Sequence, residues 1–128
     1  MTKVRRNNAE KTITQNSITN SGTFTNNGNT ISNTSFTNDG IISGTGSLEL
    51  NGTSSNNAEK SITQNTITNT GSFTSDGNVT ATDKFENKDN GVFISNGKFV
   101  ATNIENKNNA TMTINDTSLL DANIKNSA

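Results

Sequence analysis

Residues 7–29 read NNAEKTITQNSITNSGTFTNNGN, and residues 56–78 read NNAEKSITQNTITNTGSFTSDGN: one string displaced by 49 positions, with 17 of 23 residues identical. Four of the six differences are Ser/Thr exchanges (Thr12/Ser61, Ser17/Thr66, Ser21/Thr70, Thr23/Ser72). The other two, Asn26/Ser75 and Asn27/Asp76, fall in a turn-like segment. Every apolar residue keeps its identity and phase. A unit duplicated at this period points to a solenoid or array, in which neighbouring repeats bury one another's apolar residues.

A finer rhythm runs inside the repeat. Large apolar residues fall at Ile13, Ile18, Phe24, Ile31, Phe36, Ile41 or Ile42, and Leu48. They continue at Ile62, Ile67, Phe73, Val79, Phe85, Val92 or Phe93, Phe99, Ile104, Met112, Leu119 or Leu120, and Ile124. The steps are mostly five to seven residues, whereas an amphipathic helix repeats at three and four and does not tolerate this density of Asn, Thr and Gly. The recurring local pattern is an apolar residue between two hydroxyl residues, as in Thr12-Ile13-Thr14, Thr23-Phe24-Thr25, Ser35-Phe36-Thr37, Ser72-Phe73-Thr74 and Thr111-Met112-Thr113. In a strand, neighbouring side chains point to opposite faces, so the apolar residue turns in and both hydroxyls turn out. Phe24, Phe36, Phe73 and Phe85 are therefore expected in the core.

Between the triplets stand Asn-x-Gly at 20–22, 26–28, 38–40 and 69–71, and Asn-Gly at 27–28, 51–52, 90–91 and 96–97. Both residue types tolerate the positive φ of a sharp corner. One inward residue per short strand and a corner about every six residues read as an all-β, single-stranded parallel β-helix, a β-solenoid. Hairpins also use Asn-Gly, but their strands are longer than these turns permit. Three arcs would close a triangular coil of roughly 16–20 residues, and about seven coils would make a rod roughly 30–35 Å long. The 49-residue repeat is then close to three coils. Its eight arcs would also suit a two- or four-sided coil of about 12 or 24 residues.

Asn, Thr and Ser supply 61 of the 128 residues, against 25 Ile, Leu, Val and Phe. So thin a core requires stability from stacking: backbone groups pair with the coils above and below, and corner asparagines form amide ladders. The chain divides into a basic segment, residues 1–6, expected to act as a partial cap, and a solenoid over 7–128 carrying the duplication. Open coil ends would expose strand edges, with Ile13 and Ile18 near one end and Leu119, Leu120 and Ile124 near the other. End-to-end stacking with a second copy of the chain is the expected self-association.

The composition argues against an enzyme. Cys, His, Trp, Tyr and Pro are absent, which removes thiolate chemistry, His-based triads and most zinc sites. Ser95-Asn96-Gly97-Lys98 matches Ser-x-x-Lys, yet the companion Lys-Thr-Gly is missing. Gly91 to Lys98 has five residues rather than four between its glycines, and Phe99 where a phosphate loop needs Ser or Thr. Calcium-loop alignments fail: with Gly91 at position six, Lys88 stands third and Gly97 twelfth, and with Gly40 there, Gly46 stands twelfth. Asp39, Asp76 and Asp89 read as turn residues. No catalytic, cofactor or metal site is expected. A net charge of −1 with no exposed stacking aromatics disfavours nucleic acid, and no apolar run approaches a membrane span.

The strings ITNSGTFTNNGNTISN and ITNTGSFTSDGNV resemble the Asn-x-Gly-x-(Ile/Phe) repeats of bacterial surface adhesins: filamentous haemagglutinin-like exoproteins of two-partner secretion systems, and autotransporter passengers. The resemblance covers roughly residues 12–115. It implies a right-handed parallel β-helix, exported and displayed at the cell surface, meeting a receptor and doing no catalysis. Cytoplasmic residence is the alternative location, since residues 1–6 lead into no apolar signal core. An adhesive or structural rod is the first functional expectation and a self-assembling filament subunit the second. Ice binding through hydroxyl arrays is the third, but Thr12/Thr14 and Thr23/Thr25 recur about every 11–12 residues, so a three-sided coil would scatter them across faces.

Overall fold

The computed structural model describes residues 5–115 and 123–127. These residues are all-β: among them fourteen strands form one parallel sheet wound into a solenoid of about six turns. Residues 1–4 of the expected cap, and Leu119 and Leu120, lie outside the described residues.

The coil has three faces. Face 1 stacks β1 (Arg5–Asn7), β3 (Thr23–Asn26), β5 (Ile41–Ser43) and the first halves of β8 (Ser61–Asn69), β10 (Asn78–Asn87) and β12 (Phe99–Lys107). Face 2 stacks the first halves of β2 (Thr12–Asn20) and β4 (Asn29–Asn38), then β6 (Ser47–Leu50), the second halves of β8, β10 and β12, and β14 (Asn123–Ser127). Face 3 stacks the second halves of β2 and β4, then β7 (Thr53–Asn56), β9 (Ser72–Ser75), β11 (Val92–Ser95) and β13 (Thr111–Ile114). The longer strands bend round a corner, and the register shifts there, between Gln15 and Ser17 and between Ala81 and Lys84.

The register fixes what the sequence left open. Stacked partners are 17 to 20 residues apart, as in Ile62↔Val79 and Val79↔Phe99, so the coil is three-sided. Asn7 lies on face 1 and its duplicate Asn56 on face 3, eight arcs later. The repeat thus spans two and two-thirds coils rather than about three, and each copied arc moves to a neighbouring face.

The alternation of hydroxyl and apolar residues produces the core as expected. Phe24, Phe36, Phe73 and Phe85 are all buried, together with Ile42, Leu48, Ile62, Ile67, Phe93, Phe99 and Ile104. Four phenylalanines form one cluster, with Phe85 and Phe93 ring centroids 4.4 Å apart and Phe99 4.9 Å from Phe85. Ile31 is the exception. It points outward, while Thr30 and Ser32 on either side are buried. Both find partners inside: Thr30 Oγ1 donates to Asn26 Oδ1 at 2.9 Å and Ser32 Oγ to the Ser35 carbonyl at 2.7 Å. A satisfied hydroxyl is thus as acceptable inside as an apolar group.

Ser54 is the counter-case. It occupies the inward position between Phe36 and Phe73 in the face 3 stack. Among the described residues, its Oγ is the one buried side-chain polar atom without a hydrogen-bond partner. Ser54→Ala removes the stranded hydroxyl, and we expect a gain of about 1 kcal/mol, read as a higher urea midpoint.

Candidate functional site

The corners hold most of the asparagines whose spacing stands out in the sequence. At the face 3 corner, Asn20 Nδ2 donates to Asn38 Oδ1 at 2.9 Å, Asn38 to Asn56 at 2.8 Å, and Asn56 to Ser75 Oγ at 3.1 Å. At the face 2 corner, Asn69, Asn87, Asn106 and Asn126 form a second ladder at 2.8–2.9 Å. At the face 1 corner, Asn7 donates to Asn26 and Asn26 to Gln64, whose longer side chain spans the coil where Gly44 stands. Asn20, Asn26, Asn38 and Asn69 are all buried.

This corrects the turn reading of Asn-x-Gly. These asparagines are strand residues pointing inward, and none has positive φ; outside glycine, that conformation falls at Glu10, Glu59, Asp89, Asn90, Asn108 and Asn109. The glycines of these motifs serve close approach rather than positive φ, which among the described glycines falls at Gly44. A Cβ on Gly40 would overlap the Gly22 carbonyl of the adjacent coil, and one on Gly71 the Gly52 carbonyl.

The motifs tested for chemistry are absorbed into this scaffold. Ser95 is buried and its Oγ donates to the Gly97 carbonyl at 3.0 Å, while Lys98 is exposed. Asp39, Asp76 and Asp89 each accept an amide, from Asn57, Asn96 and Asn108. Among the described residues, no group of three potential ligands could hold a metal ion, and no helix is long and apolar enough to cross a membrane.

One charged cluster escaped the sequence reading, because its members come from successive coils. On face 2, Glu86 stacks on Glu105. Lys107 Nζ donates to Glu86 Oε2 at 2.7 Å, with Lys88 and Lys84 at 3.7 and 3.9 Å from the same carboxylate. Burial pushes the Glu86 carboxyl up, but the Lys107 hydrogen bond and the Lys84 charge outweigh it and hold the group below its ordinary value. The hydrogen bond to Glu86 raises Lys107. A lowered carboxyl stabilises the fold above its unfolded pKa of about 4.3 and loses that contribution as pH falls through the folded value. A raised lysine contributes below its unfolded pKa of about 10.4 and loses it as pH rises through the folded value. Glu86→Gln is therefore expected to flatten the melting temperature against pH at both limits, with little effect from salt-screened Lys84 alone.

The three faces differ in what they show to solvent. Face 2 carries Glu49, Lys84, Glu86, Glu105 and Lys125, and face 1 carries Arg6 and Lys98. Face 3 carries no charge on its two outward rows. One row runs Ser17, Ser35, Thr53, Ser72, Val92, Thr111; the other runs Thr19, Thr37, Ser55, Thr74, Ile94, Thr113. Ten of these twelve positions bear a hydroxyl. The sequence reading missed this alignment: Thr12/Thr14 and Thr23/Thr25 do fall on different faces, but the triplets 17 to 20 residues apart share one. No family model matches the chain, and neither the curated proteins nor the solved structures contain a match.

Proposed function

We propose that this chain is a non-catalytic β-solenoid rod, a structural or adhesive module of a bacterial surface protein. The observation that carries the reading is where its polar groups are spent. The corner asparagines close hydrogen-bonded ladders, and the Ser95 hydroxyl and the Asp carboxylates are taken up by hydrogen bonds within the coil, which leaves hydroxyl-lined faces as the surface on offer. Such a scaffold sets distance and displays a face, and its adhesin-like repeats fit an exported protein meeting a cell-surface receptor. Protease shaving of intact source cells, with binding of the purified chain to host-cell monolayers, tests it. Release by shaving and saturable binding are expected; protein found only after lysis, with no binding, would refute it.

A second reading, a filament subunit stacking head to tail, has its own support. Among the described residues, Ile124 is 62% exposed, Met112 and Ile114 are only partly buried, and β14 is paired on one side only. A second coil laid on that end would cover these side chains and pair the edge. Scattering should then show length growing with concentration and Ile124→Lys suppressing the growth. A strictly monomeric wild type would reject it.

A further inference from the structure

We infer that face 3 is an ice-binding surface. Its two rows of Ser and Thr are stacked in register from β2 and β4 through β7, β9, β11 and β13. Coil stacking repeats the hydroxyls about every 4.7–4.9 Å along the rod, and alternate residues of a strand place the two rows about 6.6–6.8 Å apart. Both repeats lie close to those of oxygen atoms on a prism face of ice. Each hydroxyl donates one hydrogen bond and accepts others, part of the two-donor, two-acceptor pattern of a lattice water; within the first row Ser35 Oγ also donates to Ser17 Oγ at 2.9 Å. The threonine methyls add apolar surface over which water orders. Where the hydroxyl rows break, Val92 and Ile94 replace them, residues that keep the branched shape of threonine and introduce no charge.

Other occupants are disfavoured by what the face lacks. Sugar lattices and single-stranded nucleic acid are gripped by exposed aromatic rings, and all six phenylalanines are buried. An anionic membrane or a phosphate backbone needs basic residues, and neither outward row of face 3 carries one. A protein hot spot draws on Trp, Tyr and Arg, none of which is present in the two rows. Duplication does not explain the array either, because it moves each arc to another face: 23–26 lies on face 1 and its copy 72–75 on face 3.

The test is thermal hysteresis and inhibition of ice recrystallisation by the purified chain. Wild type is expected to show both. Ser55→Lys and Thr37→Lys, at two different coils of face 3, should each lower them several-fold. Thr63→Lys, equally half-buried on face 1, should leave them unchanged. Circular dichroism before freezing identifies any variant that fails to fold, and the wild-type measurement stands without the variants. Folded wild type with neither activity overturns the assignment, and so does equal loss from Thr63→Lys. Sedimentation with crystalline cellulose or chitin without any effect on ice also overturns it, giving the face to carbohydrate.

Discussion

Phe85→Ala is expected to cost about 3–5 kcal/mol, read from the midpoint of chemical denaturation. Phe85 is fully buried. Its ring lies 4.4 Å from Phe93, 4.9 Å from Phe99 and 6.5 Å from Phe73 between centroids. Ile67 and Ile104 stack above and below it. The coil is only three arcs around, so few side chains can move in to fill the space. The backbone is pinned to both adjacent coils and cannot collapse inward, which keeps the cavity open. Thr25→Ala, on the outer surface of face 1, should change stability by only about 0.5 kcal/mol. Similar costs for the two would contradict the inward and outward assignment.

Asn38→Asp is expected to cost about 3–5 kcal/mol near neutral pH, although it changes one side-chain atom. Asn38 is buried, and its Nδ2 donates to the Gly40 carbonyl at 3.1 Å, Asn56 Oδ1 at 2.8 Å and the Ser61 carbonyl at 3.0 Å. A carboxylate in that place turns an oxygen toward three oxygens. Burial and this repulsion would raise the introduced carboxyl's pKa in the folded state, so the penalty is full at neutral pH and eases as pH falls through that value. Asn33→Asp is the contrast. Asn33 is exposed and accepts from Asn51 Nδ2 through its oxygen, which a carboxylate still provides. Denaturation at two pH values separates them; equal effects would show that the ladder contributes nothing.

The inward residues were legible because a strand has a period of two, so Thr12-Ile13-Thr14 or Ser72-Phe73-Thr74 declares its own phase. The number of sides was not, because each arc contributes one apolar residue whether three or four arcs close a coil. Corner lengths blurred the count further. Residues 8–11, 57–60 and 88–91 form four-residue turns, closed by hydrogen bonds such as Lys11 N to the Asn8 carbonyl at 3.1 Å, while corners such as 21–22 and 39–40 need only two residues and 44–46 and 96–98 three. Ile31 was misread because hydrophobicity alone cannot see that Thr30 and Ser32 have partners waiting inside. The two hydroxyl rows of face 3 and the Glu86 cluster depend on residues about a coil apart. They become visible only once the coil length is known.

The inner ladders all run one way: Nδ2 of Asn7, Asn20, Asn38, Asn69 and Asn87 each donates toward the coil that follows. Reversing any one amide would turn its oxygen against backbone carbonyls such as those of Gly22 and Ile41 around Asn20, so the orientation is locked. Strand dipoles lie across the axis and largely cancel, but these side-chain dipoles lie along it and add, each bond polarising the next. Surface amides such as Asn57 and Asn96 donate the opposite way, to Asp39 and Asp76, where water screens them. The rod therefore carries an axial dipole through a low-dielectric interior: the ladders present amide oxygens toward the first coil and amide donors toward the last, and antiparallel joining of two rods would set like against like.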